Sequence, residues 1–190
     1  MANCRAYRKP MAVPGYLWGA SKPEETGKFF AWGDTSPKEW YDWQHYQWYD
    51  DGNNIIKYNT LAKWGQVDNL TALTTGPDGD DAVSATVGGK WRMPTDDELY
   101  EIAAYSTSTD IQWTWTEDYN GTKVNGFIVS SGKEEYAGNS IFLPVAGRYE
   151  GNQYLEKGTS AGYWSSSLNT PLSISPGISP LSSASKSAFH

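Results

Sequence analysis

Five short stretches of this sequence carry the apolar or alternating pattern of a β-strand. They are residues 29–33, 113–116, 126–130, 141–149 and 163–167. Residues 141–149 form the most apolar run, which predicts a core strand. Gly151 and Asn152 follow that run and predict a hairpin turn. The pattern therefore predicts several short strands joined by turns.

Residues 88–104 predict an extended segment that turns into a short helix. Pro94 cannot donate a backbone hydrogen bond and biases Met93 toward an extended conformation. Thr95 and Glu98 have the spacing of a capping box, in which each side chain bonds the backbone amide of the other residue. We expect the rest of the chain to be arranged around this segment.

The predicted helix has one apolar face, because Leu99, Ile102 and Ala103 recur at helical spacing. Trp91 and Met93 lie in the extended part, and we expect both to anchor the segment in the core. Nothing here places a nucleophile beside a base, so we interpret the segment as architectural.

Three acidic residues, Asp78, Asp80 and Asp81, lie in the polar stretch that precedes another short helix at residues 82–87. Calcium prefers several hard oxygen ligands, so these carboxylates are candidate ligands. Their spacing is not that of an EF-hand. Capping of the helix at 82–87 explains Asp80 and Asp81 at least as well. The sequence leaves both interpretations open and favours no cofactor.

Residues 34–64 contain an unusual density of aromatic residues with interleaved polar ones. The aromatic residues are Trp40, Tyr41, Trp43, Tyr46, Trp48, Tyr49, Tyr58 and Trp64, and the polar ones are Asp42, His45, Asp50 and Asp51. One hypothesis is a platform on which aromatic faces stack against sugar rings while acids bind hydroxyl groups. The hypothesis we favour is a long loop held down by inserted aromatic side chains.

Several short motifs occur in a fixed order along the chain. They are Gly19-Ala20-x-x-Pro23-Glu24, Phe30-Ala31-Trp32-Gly33, Lys57-Tyr58-Asn59, Asp80-Asp81-Ala82, Trp91-Arg92-Met93-Pro94-Thr95, Asn139-Ser140-Ile141-Phe142-Leu143-Pro144, Ala146-Gly147 and Tyr163-Trp164-Ser165-Ser166-Ser167. This series resembles the Fibrobacter-type major paralogous domains, within the formylglycine-generating-enzyme superfamily. The resemblance also extends to the variable proteins of diversity-generating retroelements.

The resemblance implies an α+β, C-type-lectin-like fold with short antiparallel strands, two short helices and long aromatic loops. It divides the chain into an atypical N-terminal segment at 1–16, the domain at 17–167 and an atypical Ser- and Pro-rich tail at 168–190. Related domains close the fold with a further strand pair that this tail lacks. We therefore expect an unpaired sheet edge after Trp164, which could pair with a second copy or with an irregular path of the tail.

Composition excludes some partners. The chain has 190 residues and a net charge of −7, whereas nucleic-acid binding requires a basic surface. No apolar run is long enough for a transmembrane helix, and the N-terminus has no apolar stretch typical of a signal peptide. Cys4 is the single cysteine, so no intramolecular disulfide forms.

The residues do not favour an enzyme. The superfamily's oxidative chemistry depends on cysteines or histidines, whereas this chain has only Cys4, His45 and His190. The leading hypothesis is a ligand-binding module that recognises a glycan or a surface protein. By resemblance it belongs to a bacterial cell-surface or phage protein.

The alternatives to that hypothesis are a variable receptor-binding protein of a diversity-generating retroelement and a structural surface or virion module without its own ligand. In folds of this type the face built by the C-terminal loops and strands tolerates variation. The candidate ligand-binding residues on that face are Arg148, Tyr149, Asn152, Tyr154, Tyr163 and Asn169. Aromatic and amide side chains of this kind are typical of adaptable binding surfaces.

Overall fold

The computed structural model describes residues 19–52, 54–103 and 110–168, together with the backbone of residues 172–174. Its helices are α1 (Ala82–Val87) and α2 (Asp96–Ala103). Its strands are β1 (Ile111–Thr116), β2 (Gly126–Ser131), β3 (Ser140–Pro144), β4 (Arg148–Glu150), β5 (Gln153–Leu155), β6 (Ala161–Tyr163) and β7 (Leu172–Ile174). Single turns of 3₁₀ helix occur at Trp43–His45, Ala62–Trp64, Tyr119–Gly121 and Glu134–Tyr136. Few short helices and small antiparallel sheets confirm the predicted α+β class.

The largest sheet has three antiparallel strands in the order β1-β2-β3. Strand β1 alternates in exposure along its length, because side chains on a strand point to opposite faces in turn. Phe127 of β2 packs edge-on against Trp113 and Trp115 of β1, with ring centroids 5.4 and 5.0 Å away. The strands predicted at 113–116 and 126–130 are thus confirmed.

The single strand predicted over 141–149 is wrong, because two strands, β3 and β4, occupy this range and residues 145–147 separate them. Gly147 accounts for this interruption of the strand. Its φ is +77°, and a Cβ at this position would lie 2.4 Å from the carbonyl oxygen of Leu155. Only glycine suits that conformation and that approach. The hairpin turn predicted at Gly151 and Asn152 is confirmed between β4 and β5.

Two other strand predictions are also wrong. Residues 29–33 form no strand, because Phe29 packs against one hydrophobic core and Trp32 belongs to the other. A strand was expected to begin at Tyr163, but β6 ends there. Beyond it, Ser167 makes only an isolated bridge with Ala72.

Helix α2 begins with the predicted capping box. The Thr95 amide donates to Glu98 Oε2 over 2.9 Å, and the Glu98 amide donates to Thr95 Oγ1 over 3.2 Å. The guanidinium of Arg92 holds the same carboxylate through two bonds of 2.8 and 2.6 Å. Leu99 and Ala103 are buried on the inner face of the helix.

The first core lies between α2 and the three-stranded sheet. Its buried residues are Leu99, Ala103, Phe127, Val129, Leu143, Val145, Ala146 and Ala161. Ile102 packs against this cluster, as the helical spacing predicted. Burial of this apolar surface is the main stabilising contribution of the helix–sheet packing.

A second, smaller core is built from loop residues. Trp32, Tyr58 and Leu73 are buried there, and Met93 and Trp164 pack against them. The Trp32 indole donates to the Ser165 carbonyl over 2.8 Å, which joins two segments 133 residues apart.

The extended segment before α2 is anchored through Met93 rather than through both predicted residues. Trp91 is half-buried and belongs to neither core in the described part of the chain. The expectation that Trp91 is a core anchor is therefore wrong.

The tail supplies a strand to the domain. Residues Leu172–Ile174 pair antiparallel with β6, in the register Ala161 with Ile174 and Tyr163 with Leu172. The edge that we expected to be open is therefore covered along β6 by the chain itself. Residues 1–18 and 175–190, including most of both atypical segments, lie outside the described residues.

Within the described ranges, none of the helices combines the length and the apolar character needed to cross a bilayer.

Candidate ligand-binding surface

The β4–β5 hairpin carries most of the predicted binding residues. Tyr149 and Tyr154 are paired across the two strands, and their rings stack with centroids 4.9 Å apart and planes within 6°. Phe29 packs edge-on against both rings at 5.0 and 5.4 Å. The inner face of the hairpin is thus a small aromatic cluster, and the two tyrosines are half-buried in it.

The aromatic loop is attached to the tip of this hairpin. Tyr41 and Gly151 exchange two backbone hydrogen bonds of 2.8 and 2.9 Å. The Tyr41 ring contacts Tyr149 at 5.4 Å, and its hydroxyl donates to the Phe29 carbonyl over 2.7 Å. Burial raises the pKa of this Tyr41 hydroxyl, so it remains a donor. The structure therefore joins two regions that the sequence identified separately.

Two tryptophans of the loop remain exposed, and one of them borders the hairpin turn. Trp40 and Trp43 keep 43% and 44% of their surface accessible. A Cβ on Gly151 would lie 4.0 Å from Cε3 of Trp40, so this indole borders the turn. Trp40 also stacks on the ring of His45 at 5.9 Å. We call Trp40, Trp43, His45 and the turn at Gly151 and Asn152 the aromatic surface.

Asp42 fixes the conformation of this loop. Its carboxylate lies 2.6 Å from Nδ1 of His45 and accepts a 3.0 Å hydrogen bond from the His45 amide, which caps the 3₁₀ turn. The hydrogen bond from His45 lowers the pKa of Asp42. The surface therefore presents a negative charge beside its two indoles.

A buried ion pair supports the loop from the other side. Asp34 is almost fully buried, and its carboxylate lies 2.6 Å from Nζ of Lys38. Burial raises the pKa of Asp34, against the opposing effect of Lys38. Lys38 also donates to the His45 carbonyl, so the pair holds the segment that carries Trp40 and Trp43. Nothing in the sequence spacing singled out Asp34 or Lys38.

The remaining candidate binding residues have different positions. Arg148 is exposed and forms ion pairs with Glu150 and Glu156, each at 3.2 Å. Asn152 is exposed at the hairpin turn. Asn169 lies outside the described residues.

Two of the candidate tyrosines direct their hydroxyls toward the protein. Tyr154 donates to the Ala146 carbonyl, and Tyr163 donates to the Pro144 carbonyl. Tyr163 packs against the first core, and burial raises its pKa far above the usual range. The structure thus brings together Tyr149, Asn152, Tyr154 and Arg148 at the hairpin and gives Tyr163 a core position.

Two of the three candidate calcium ligands are engaged by different protein groups, and the third is exposed. The carboxylate of Asp80 lies 2.5 Å from Nζ of Lys57 and accepts from the Tyr58 hydroxyl. Asp81 is fully buried and caps α1, as one of the two interpretations predicted. Asp78 is exposed. Across the described ranges, no group of three or more His, Cys, Asp or Glu residues has an arrangement that could hold a metal ion.

Comparisons with protein families, with curated proteins and with solved structures found no match to this chain.

Proposed function

We propose that this chain is a non-enzymatic recognition module with a C-type-lectin-like fold, which binds a glycan at the aromatic surface. The observation that carries the proposal is the bridge between Tyr41 and Gly151, which brings the loop that carries exposed Trp40 and Trp43 to the hairpin turn. Such a module acts at a cell surface or on a phage particle, where glycans are presented.

The chemistry of the aromatic surface suits a sugar ring. The exposed indole faces of Trp40 and Trp43 offer apolar area against the C–H face of a sugar. Asp42 accepts hydrogen bonds, and the amide of Asn152 both donates and accepts, so together they complement sugar hydroxyls. Tryptophan is also enriched among residues that dominate binding energies.

The surroundings of His45 support a binding role over catalysis. Its Nδ1 is held by Asp42, which is the arrangement of a base and its orienting acid. In the described part of the chain, however, no serine, threonine or cysteine is hydrogen-bonded to His45. The ring instead stacks on Trp40, with the ring planes within 20° of each other.

A glycan array tests the proposal. The wild-type chain should bind a defined group of glycans, and the Trp40→Ala/Trp43→Ala double variant should lose at least tenfold in affinity. Trp64→Ala is the matched control, because Trp64 is also exposed, at 39%, but lies outside the aromatic surface. Urea denaturation of both variants checks that each remains folded, so that a loss of affinity reports on the binding surface.

The array is run once with calcium and once with a chelator. We expect equal binding, because Asp80 and Asp81 are already engaged by protein groups. If no glycan binds, or if the double variant binds as wild type does, the proposed function is wrong. Binding that requires calcium would contradict the metal-free site.

A further inference from the structure

A second concave site lies on the molecule, and no residue of the aromatic surface lines it. It is an open cavity of about 760 Å³ between the turn at residues 75–77 and the segment 84–92. Small-molecule sites commonly fall between about 300 and 1,000 Å³. The cavity can therefore accept a ligand the size of a disaccharide.

The charge lining this cavity is opposite in sign to that of the whole chain. Lys90 and Arg92 line it and no acidic side chain does, although the chain has a net charge of −7. Arg92 is already held by Glu98 through two hydrogen bonds. Lys90 is exposed, and within the described part of the chain its ammonium has no ion-pair or hydrogen-bond partner. The unneutralised charge of the cavity is thus that of Lys90.

The neighbouring groups are an aromatic ring and hydroxyls. Trp91 lines the cavity and is half-buried, which explains its position outside both cores. Ser84 also lines it, and its Oγ accepts a 2.6 Å hydrogen bond from the Gly76 amide, which leaves its proton to donate. Thr75 lines the cavity as well and carries a second hydroxyl group.

A pair of glycines leads the chain into Lys90 and Trp91. Gly88 and Gly89 have φ of +72° and +66°, and a Cβ at either position would meet no atom within 4 Å. The backbone conformation, not crowding, therefore accounts for the two glycines. It turns the chain at the end of α1 so that two consecutive side chains border the same cavity.

We infer that this cavity binds a uronic acid unit of an acidic glycan. Lys90 pairs with the carboxylate, Trp91 packs against the sugar ring, and the hydroxyls of Ser84 and Thr75 bond to the sugar hydroxyls. A carboxylate pairs with an unpaired ammonium through charge-assisted hydrogen bonds, which are stronger than neutral ones. This site is additional to the proposed glycan site, since the two share no residue.

Calorimetric titration of the full chain with digalacturonic acid tests the inference, with its dimethyl ester as the uncharged counterpart. The acid should bind with a defined stoichiometry, and the ester at least tenfold more weakly. Raising the salt concentration should weaken binding of the acid, because Lys90 is exposed to solvent.

Lys90→Gln should weaken binding of the acid at least tenfold while the unfolding temperature stays that of wild type. Lys22→Gln is the matched control, because it makes the same charge change at an exposed lysine that does not line the cavity. Equal binding of acid and ester, unchanged binding by Lys90→Gln, or no binding of the acid would each overturn the inference.

The Trp40→Ala/Trp43→Ala variant separates this inference from the proposed function. It should bind digalacturonic acid as wild type does, even though it loses the array glycans. Loss of both activities in that variant would contradict an independent site at Lys90.

Discussion

Asp81 shows how one buried side chain can hold two segments. Its carboxylate accepts from the Ser84 amide over 2.9 Å and from the Met93 amide over 2.8 Å. The first bond caps α1, and the second fixes the extended segment that leads into α2. Both oxygens are therefore used, and the side chain has no exposed surface.

Replacing Asp81 with Asn should lower the free energy of unfolding by about 2–3 kcal/mol. The new amide group would place a donor against one of the two backbone donors, and that bond would be lost. Urea denaturation measures the change. Asp78→Asn is the control, since Asp78 is exposed and should shift stability by no more than about 0.5 kcal/mol. Equal stability of the two variants would contradict the double role of Asp81.

Half of that role could be predicted from the sequence. An aspartate directly before Ala82 is a familiar capping residue, so the bond to Ser84 follows from local spacing. The bond to Met93 spans 12 residues and depends on how the turn at Gly88 and Gly89 closes. No local pattern predicts how that turn closes. Because the bond from Met93 could not be predicted, Asp81 also remained a candidate calcium ligand.

At the scale of elements, the start of α2 depends on one carboxylate. Glu98 accepts from Thr95 and from Arg92, and its side chain is about two-thirds buried. The hydrogen bonds from Arg92 lower the pKa of Glu98, with smaller contributions from Thr95. The capping box is therefore also an ion pair that depends on pH.

Glu98→Gln should destabilise the protein by about 1 kcal/mol at neutral pH. The folded-state pKa of Glu98 lies below its unfolded value of about 4.5, so its stabilising contribution is complete above that pH. The contribution is lost as the pH falls through the folded pKa, so the difference between variant and wild type should narrow as the pH is lowered further below 4.5. Thermal unfolding across this pH range checks the convergence.

Glu135→Gln serves as the control for that experiment, because Glu135 is exposed in the 3₁₀ turn. Its stability should follow wild type at every pH. A difference between Glu98→Gln and wild type that stays constant with pH would show that the Arg92 ion pair contributes nothing.

The sequence predicted elements well where alternation alone determines them, as in β1 and β2. It failed where contacts with distant parts of the chain determine the backbone conformation. Phe29 and Trp32 belong to different cores, so an apolar run that predicts a strand becomes a turn. At Gly147 the close approach of the Leu155 carbonyl ends one strand and begins another. Both failures come from tertiary contacts that outweigh local preference.

At the scale of the whole molecule, the candidate site comes from distant segments. Tyr41 and Gly151 are 110 positions apart in sequence, and their pairing brings the aromatic loop to the hairpin. The sequence identified each region as a possible binding element. Their contact was not predictable, because it depends on packing of Tyr41, Tyr149 and Phe29 rather than on any local pattern.

Strand β7 should keep the molecule monomeric by covering β6. A chain that ends after Leu168 would leave one edge of β6 unpaired, and unpaired strand edges associate with other chains. We expect this truncation to form dimers or larger species, measured by light scattering. A chain that ends after Ile174 keeps the pairing and is the matched control. Monomers in both cases would show that β7 does not protect the edge.

The anchoring of the aromatic loop also defines a design rule for new binders. Tyr41 and Tyr46 donate to the carbonyls of Phe29 and Trp32, so these two positions hold the backbone in place. Trp40 lies directly before Tyr41 and Trp43 lies between the two tyrosines, and they keep 43% and 44% of their surface accessible. A combinatorial library that randomises 40 and 43 while it keeps the tyrosines would vary the contact chemistry on an unchanged frame. The loop would then act as a display scaffold that the hydroxyl groups of two tyrosines hold in place.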